Sequence, residues 1–403
     1  MNQPSHKAKK TSLPKAVERS LPIVPTKLPM AALTSSKLAT RGLSELAECL
    51  PVVQELPSLP VATHGHVVIS DEANERVLVM GGRGNASVWS FVFQDWRWQQ
   101  IAAEGLSGEL LYPAVALDAQ RGRVICFGGW QGRNAPAIGD LLVLPLGGKT
   151  PLRWQTIEGR ADWPKARYGA SLAVDVRGDR AFLFGGDAGG WTGESKLCGD
   201  LWTLSLDSLQ WRLVWRRQEP WLMRRYHRMA YDSIRDHLII HGGRTRDAGS
   251  LSTSSDNIVA VVQVKADRRS WLAPKGRLRS GIVSAYVPGL RSIVGVGGGV
   301  EGSEGPAGPH HLWSYNLDDF RCSSVLIPEG TIKQPRDDHS ACFCCHRRAL
   351  FCVGGKNAVP AQQETSAGGG QTNAYLVSLD KLCSLSRADV RVHSQEDVGN
   401  RNE

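Results

Sequence analysis

Six glycine pairs, Gly81-Gly82, Gly128-Gly129, Gly185-Gly186, Gly242-Gly243, Gly297-Gly298 and Gly354-Gly355, recur along the chain at separations of 47, 57, 57, 55 and 57 residues. Such a period marks one supersecondary unit copied in tandem, because a unit of this length buries its apolar surface only by packing against its neighbours. Each pair closes a short apolar run, at 77–80, 124–127, 181–184, 238–241, 293–296 and 350–353. These runs are rich in β-branched and aromatic residues, so they read as buried strands that stop where glycine lets the backbone turn.

Alignment on the glycine pairs exposes the rest of the unit. Eighteen residues before each pair stand Thr63, Leu110, Arg167, Arg224, Arg279 and Arg336; fifteen before stand His66, Pro113, Ala170, His227, Ile282 and His339. Between these positions and the pair, two apolar runs flank a polar turn such as 176–180 or 233–236, the pattern of a β-hairpin. A third run opens with Asp or Asn in four units (Asp140, Asp200, Asn257, Asn373), and a fourth carries Trp98, Trp154, Trp211 or Trp271 near its start. Four strands per unit, with Gly-Gly ending the second and aromatics on the third and fourth, resemble the kelch repeat over residues 48–385. The resemblance implies an all-β fold: a six-bladed kelch-type β-propeller with four antiparallel strands per blade. Unit one lacks the arginine, unit two lacks both arginine and histidine, and unit five carries Pro288 in its hairpin.

A propeller leaves two raw sheet edges unless its last blade is completed by the other end of the chain. The segment around 49–55 is spaced from Pro60 as 154–158 is from Pro164, so it is expected to supply the outer strand of blade six, with 382–385 the competing choice. The domains expected are therefore a disordered basic, Pro-rich arm at 1–47, the propeller at 48–385 and a polar C-terminal tail at 386–403.

Charge is unevenly placed. Of 48 Lys and Arg against 39 Asp and Glu, residues 1–43 hold eight basic residues against Glu18 alone, which leaves 40 against 38 for the remainder. Five prolines in that arm favour disorder, and its basicity suits an acidic partner, nucleic acid included, as well as a plain solubilising tail. Nine cysteines, an odd number spread through expected strands, fit free thiols in a reducing compartment, so a cytoplasmic location is expected. The alternative is mitochondrial, since the arm is poor in acids. No apolar stretch reaches the length of a membrane span.

The densest group of metal-ligating residue types is His339, Cys342, Cys344, Cys345, His346 and Cys352. Cys342 and Cys352 fall where other units place Ala173 and Leu183, as small hydrophobes in ordinary strand positions, so no metal is expected. The copper site of galactose oxidase, which shares the kelch superfold, has no counterpart among the tyrosines and histidines here, and no glycine-rich loop has the context of a phosphate cradle. The expectation is thus a protein without cofactor or catalysis.

In kelch proteins that bind acidic peptides, arginines just before the first strand line the mouth of the central channel. The resemblance carries that role to Arg167, Arg224, Arg279 and Arg336, with Arg225 beside one of them; the competing reading has each arginine bonding loop carbonyls within its own blade. Trp130 and Trp191 lie just past glycine pairs, outside the regular aromatic positions, and are expected as contact anchors or as rings folded back over the blade. The function expected is a non-catalytic scaffold or adaptor that binds a protein partner, possibly through an acidic segment, on this loop face. The alternative is an assembly scaffold contacting RNA or ribonucleoprotein through the arm.

Overall fold

A computed structural model describes residues 53–61, 63–83, 85, 87–106, 108–132, 135–189, 195–216, 222–246, 253–255, 259–264, 268–272, 283–296, 311–319, 322–327, 336–357 and 372–379. Every described residue belongs to one compact unit, Leu46–Glu403. The expected arm at 1–47 and tail at 386–403 lie outside the described residues.

Six four-stranded antiparallel sheets follow one another along the chain as the blades of a propeller. Their inner strands are His66–Asp71, Ala114–Asp118, Ser171–Asp175, Arg228–Asp232, Val283–Val287 and Arg336–Cys344. Each inner strand packs beside the next, and the sixth packs beside the first, so the ring is closed around a central channel. Blade three shows the common plan: Ser171–Asp175, Arg180–Phe184, Asp200–Ser205 and Trp211–Arg216 in simple meander order. The fourth-strand tryptophans do not face the third-strand ones; Trp98 stands opposite Phe91, and Trp211 opposite Leu204.

Blade six is closed by the N-terminal side of the chain. Val53–Leu59 pairs antiparallel with Thr372–Ser378, Gln54 facing Leu376 and Leu59 facing Thr372. The strand lies at 53–59, a few residues later than the sequence places it, because Leu56 and Leu59 are the side chains buried against blade one. Pro57 has no N–H to give, and the ladder breaks its register between Leu56 and Leu59, as an edge strand permits.

The core is six clusters, one between each pair of neighbouring blades. Along Arg180–Phe184, Ala181 and Leu183 face blade two while Phe182 and Phe184 face blade four. Both faces of a second strand are therefore buried, which is why these strands read as unbroken apolar runs rather than as alternation. Among the described residues the only helical turns are the three-residue Glu72–Asn74 and Pro288–Leu290, and no helix is long and apolar enough to cross a membrane.

Candidate functional site

The glycine pairs are where one blade hands the chain contact to the next. The first glycine of each of the four pairs from Gly81 to Gly242 has φ between 67° and 69°, and the second between 93° and 109°, conformations that a side chain resists. The second glycine's N–H donates to the residue eighteen places before the next pair: Gly82 to Leu110 O, Gly129 to Arg167 O and Gly186 to Arg224 O, at 2.7–2.8 Å. A Cβ on Gly128 would lie 2.3 Å from Arg167 O, and one on Gly185 2.7 Å from Arg224 O. Glycine is required here by the approach of the next blade's backbone as well as by φ.

The arginines of that position turn inward. Arg167 is 1 % exposed; its Nη1 and Nη2 donate to the two carboxylate oxygens of Asp200 at 2.6 and 2.9 Å, Nη1 also to Gly185 O, and Nε to Lys165 O. Burial alone would lower the Arg167 pKa, but the bonds and charge of Asp200 more than reverse it; Asp200, which burial would raise, is held below the ordinary carboxylate value by Arg167. The pair is ionised and fork-shaped. Arg224, fully buried, repeats the plan with bonds to Gly242 O and Leu222 O. Each guanidinium thus joins the segment leading into a blade to that blade's own glycine turn, and neither reaches solvent.

Arg225 faces the other way, toward the mouth of the channel. Its Nη1 donates to Tyr168 Oη and Asp187 Oδ2 at 2.6 and 2.7 Å, and its guanidinium lies 5.1 Å from the Tyr226 ring centre. In a small sheet on the loop face, Arg225 stands opposite Arg244, whose side chain is exposed. Asp187, fully buried, also accepts from the N–H groups of Gly189 and Lys196 and from Ser195 Oγ, so it folds the loop that follows the third glycine pair.

Along the mouth runs an arc of left-handed residues, Gly65, Tyr112, Gly169 and Tyr226, with φ of 70°, 51°, 67° and 59°. Tyr112 N–H donates to Gly65 O, Gly169 N–H to Tyr112 O and Tyr226 N–H to Gly169 O, at 2.7–2.8 Å, carrying a backbone relay through four blades. The tyrosine rings of blades two and four meet at 4.6 Å between centres. Glycine in the intervening blade makes this possible, since a Cβ on Gly169 would stand 3.0 Å from the Tyr226 ring. Below the pair runs a channel of about 570 Å³ lined by the inner strands.

Against known families, the KLHDC2/KLHL20/DRC7 Kelch-repeats domain matches residues 47–243 and again 114–292, together more than half of the chain. The chain belongs to the kelch-repeat family. No curated protein sequence matches it at a meaningful level.

Within this kelch propeller the other expected site residues fall out variously. Trp130, expected as a contact anchor or a folded-back ring, is folded back: it is 4 % exposed, packs with Leu111 and Tyr168, and donates from Nε1 to Ala135 O. Arg336 forms the start of the blade-six inner strand, opposite Asn357, with its side chain outside the described residues, as are Arg279 and Trp191 entirely. His66 serves the fold, with Nε2 against Val353 O of blade six at 3.0 Å. Cys126, Cys198, Cys342, Cys344, Cys345 and Cys352 are in no disulfide, and no group of three or more metal-ligating side chains occurs among the described residues.

Sequence reasoning missed a second kelch periodicity. Asp71, Asp118 and Asp175 end the inner strands of blades one to three, buried, and each pairs with the arginine five residues on (Arg76, Arg123, Arg180) at 2.7–3.0 Å. Blades five and six have Val287 and Cys344 in that place. In blade six the N–H groups of Cys345 and His346 are accepted instead by Glu72 of blade one, which also bonds the His346 ring. Arginine and aspartate in a turn look like ordinary solvated polarity, which hid the pattern; its repeat at a fixed offset from the glycine pair was the available signal.

Proposed function

We propose that this kelch propeller is a non-catalytic interaction module that docks an acidic segment of a partner protein on its glycine-pair face. The observation that carries the reading is the side-by-side placement of Arg225 and the exposed Arg244 next to Tyr226 at the channel mouth. Asp187 neutralises Arg225 only in part, for Arg225 Nε has no hydrogen-bond partner, and Arg244 has no ion pair among the described residues. Two guanidinium forks beside an aromatic ring suit carboxylates. Family membership supports protein binding as the general task, since kelch propellers typically act as non-enzymatic interaction domains. Arg279, Arg336 and Trp191 remain part of the proposed surface, and Arg167 and Arg224 act in it as the frame that fixes the loops.

The test is recovery of partners from native cells at moderate salt by wild type, by Arg244→Glu, and by Arg153→Glu, a matched charge reversal on the exposed rim. A partner kept by wild type and Arg153→Glu but lost by a normally folded Arg244→Glu supports the reading. Equal recovery by all three sinks it. The charge of residues 1–43 favours one further reading, an RNA contact through the arm; steep salt dependence that vanishes on deleting those residues distinguishes it from docking on the propeller.

A further inference from the structure

Two thiols of blade six depart from the plan of the repeat. Twelve residues before the glycine pair four units carry alanine (Ala116, Ala173, Ala230 and Ala285), and blade six carries Cys342. Ten before it, the buried aspartate of blades one to four gives way to Cys344. Cys352, by contrast, shares its place with Cys126 of blade two and is ordinary strand filling. Cys342 and Cys344 stand two apart on the inner strand, opposite Phe351 and Ala349, so their side chains leave the same face of the sheet. Both pack into the apolar cluster between blades six and one, and the two thiols are within hydrogen-bonding reach of each other. Cys344 is buried, with Ser70 Oγ of blade one 3.8 Å from its sulfur, while Cys342 borders the channel.

A pair of adjacent sulfurs in apolar surroundings, open along one edge, suits a soft metal ion. Among the described residues no third metal-ligating group completes the pair, so zinc would not find its four ligands. Monovalent copper is different: it is soft, selects thiolates and is satisfied by two of them. Charge fits as well, because two thiolates on one such ion leave a single negative charge. Arg228 of blade four reaches across the channel to Ser340 Oγ at 3.1 Å, close enough for its charge to act on Cys342. Glu72, whose charge also reaches Cys342, is already occupied by the N–H groups of Cys345 and His346 at 2.9 and 3.3 Å and by Ser70 Oγ. We propose that Cys342 and Cys344 form a binding site for one monovalent copper ion on the channel side of blade six. Each thiol releases its proton to solvent, two sulfur–copper bonds form, and the copper keeps its oxidation state, so no oxidant or reductant is consumed. The site does not rest on the Arg225–Arg244 surface, and either can fail without the other.

The test uses the full chain, reduced and kept free of oxygen, titrated with monovalent copper held by a coloured chelator of known affinity. Two variants borrow residues from the protein's own repeats and so respect the fold: Cys342→Ala, as in four blades, and Cys344→Val, after Val287 of blade five. Cys345→Ser, at the exposed neighbour, and Cys352→Leu, after Leu183 of blade three, are the controls. Wild type and both controls are expected to take one copper, with two sulfur neighbours by X-ray absorption. Cys342→Ala and Cys344→Val are each expected to lose affinity about a hundredfold or more, since losing a ligand costs more than the ~10–100-fold of losing a ligand's hydrogen-bond partner. Copper should also raise the thermal midpoint of wild type and leave those two variants unmoved. Retention of copper by Cys342→Ala, folded by circular dichroism, overturns the site. Loss of copper from Cys345→Ser places the ion on the exposed thiol and overturns it too. So does a wild type that takes no copper from the chelator.

Discussion

At the scale of single residues, position in the repeat does not decide role. Arg224 and Arg225 are neighbours in sequence, yet one is spent on carbonyls inside the blade and the other lies at the channel mouth. The Arg167–Asp200 pair makes the contrast measurable. Removing one member of a buried, bonded ion pair leaves the other charge stranded, at about 3–5 kcal/mol. Arg167→Ala is therefore expected to lower the urea midpoint sharply, and Asp200→Ala to do likewise, whereas Arg244→Ala should stay within about 0.5 kcal/mol of wild type. Denaturant titration of the three variants checks this. Both halves of the buried pair were visible in the sequence, as the arginine eighteen before the glycine pair and the aspartate that opens the third strand. What was not visible is that the fold brings them together, because they stand 33 positions apart with two strands between. Arg244 was hidden for a different reason: only unit one has an arginine, Arg83, at the same offset from its glycine pair, and an alignment of repeats brings out what most units share.

Elements repeat their backbone more faithfully than their side chains. All six inner hairpins turn through a left-handed residue: Glu75, Gly122, Asp179, Asp236, Arg291 and Arg348, with φ of 45–59°. Only blade two uses glycine there. Glu75 is exposed and its side chain makes no hydrogen bond or ion pair among the described residues, so Glu75→Gly relieves a left-handed side chain and is expected to stabilise by about 0.5–1 kcal/mol. Gly185→Ala is the counterpart, introducing a Cβ at φ 67° within 2.7 Å of Arg224 O, and should destabilise by about 2 kcal/mol or more. Thermal unfolding of the two variants should move in opposite directions. The strands and their order were legible because the glycine pairs mark the ends of second strands. The alternation of Gly65, Tyr112, Gly169 and Tyr226 was equally periodic, but its meaning depends on knowing that these residues converge on an axis.

For the whole molecule, buried neutral histidines set the response to acid. His241 is held down to about 3, and His227 well below 6.5, first by burial and then by the neighbouring arginines. Below pH 6.5 the unfolded chain takes up protons that the folded ring refuses, so stability is complete above that value and falls as pH drops toward 3. The slope is up to about 1.4 kcal/mol per pH unit for each histidine. The carboxylates of Asp200, Asp232 and Glu72, with lowered pKa values, add their loss only below the ordinary carboxylate range. Urea midpoints at pH 7, 6 and 5 should decline for wild type and decline less for His241→Asn. The strand that closes the ring has a consequence of another kind. Val53–Leu59 leaves the ribosome some three hundred residues ahead of its partner Thr372–Ser378. While blades two to five are made the first blade waits beside an absent neighbour, and the ring can close only when blade six has been made. Order of birth and order of assembly are therefore opposed at this one seam, which makes it the place where a nascent chain is most open to a chaperone or a protease.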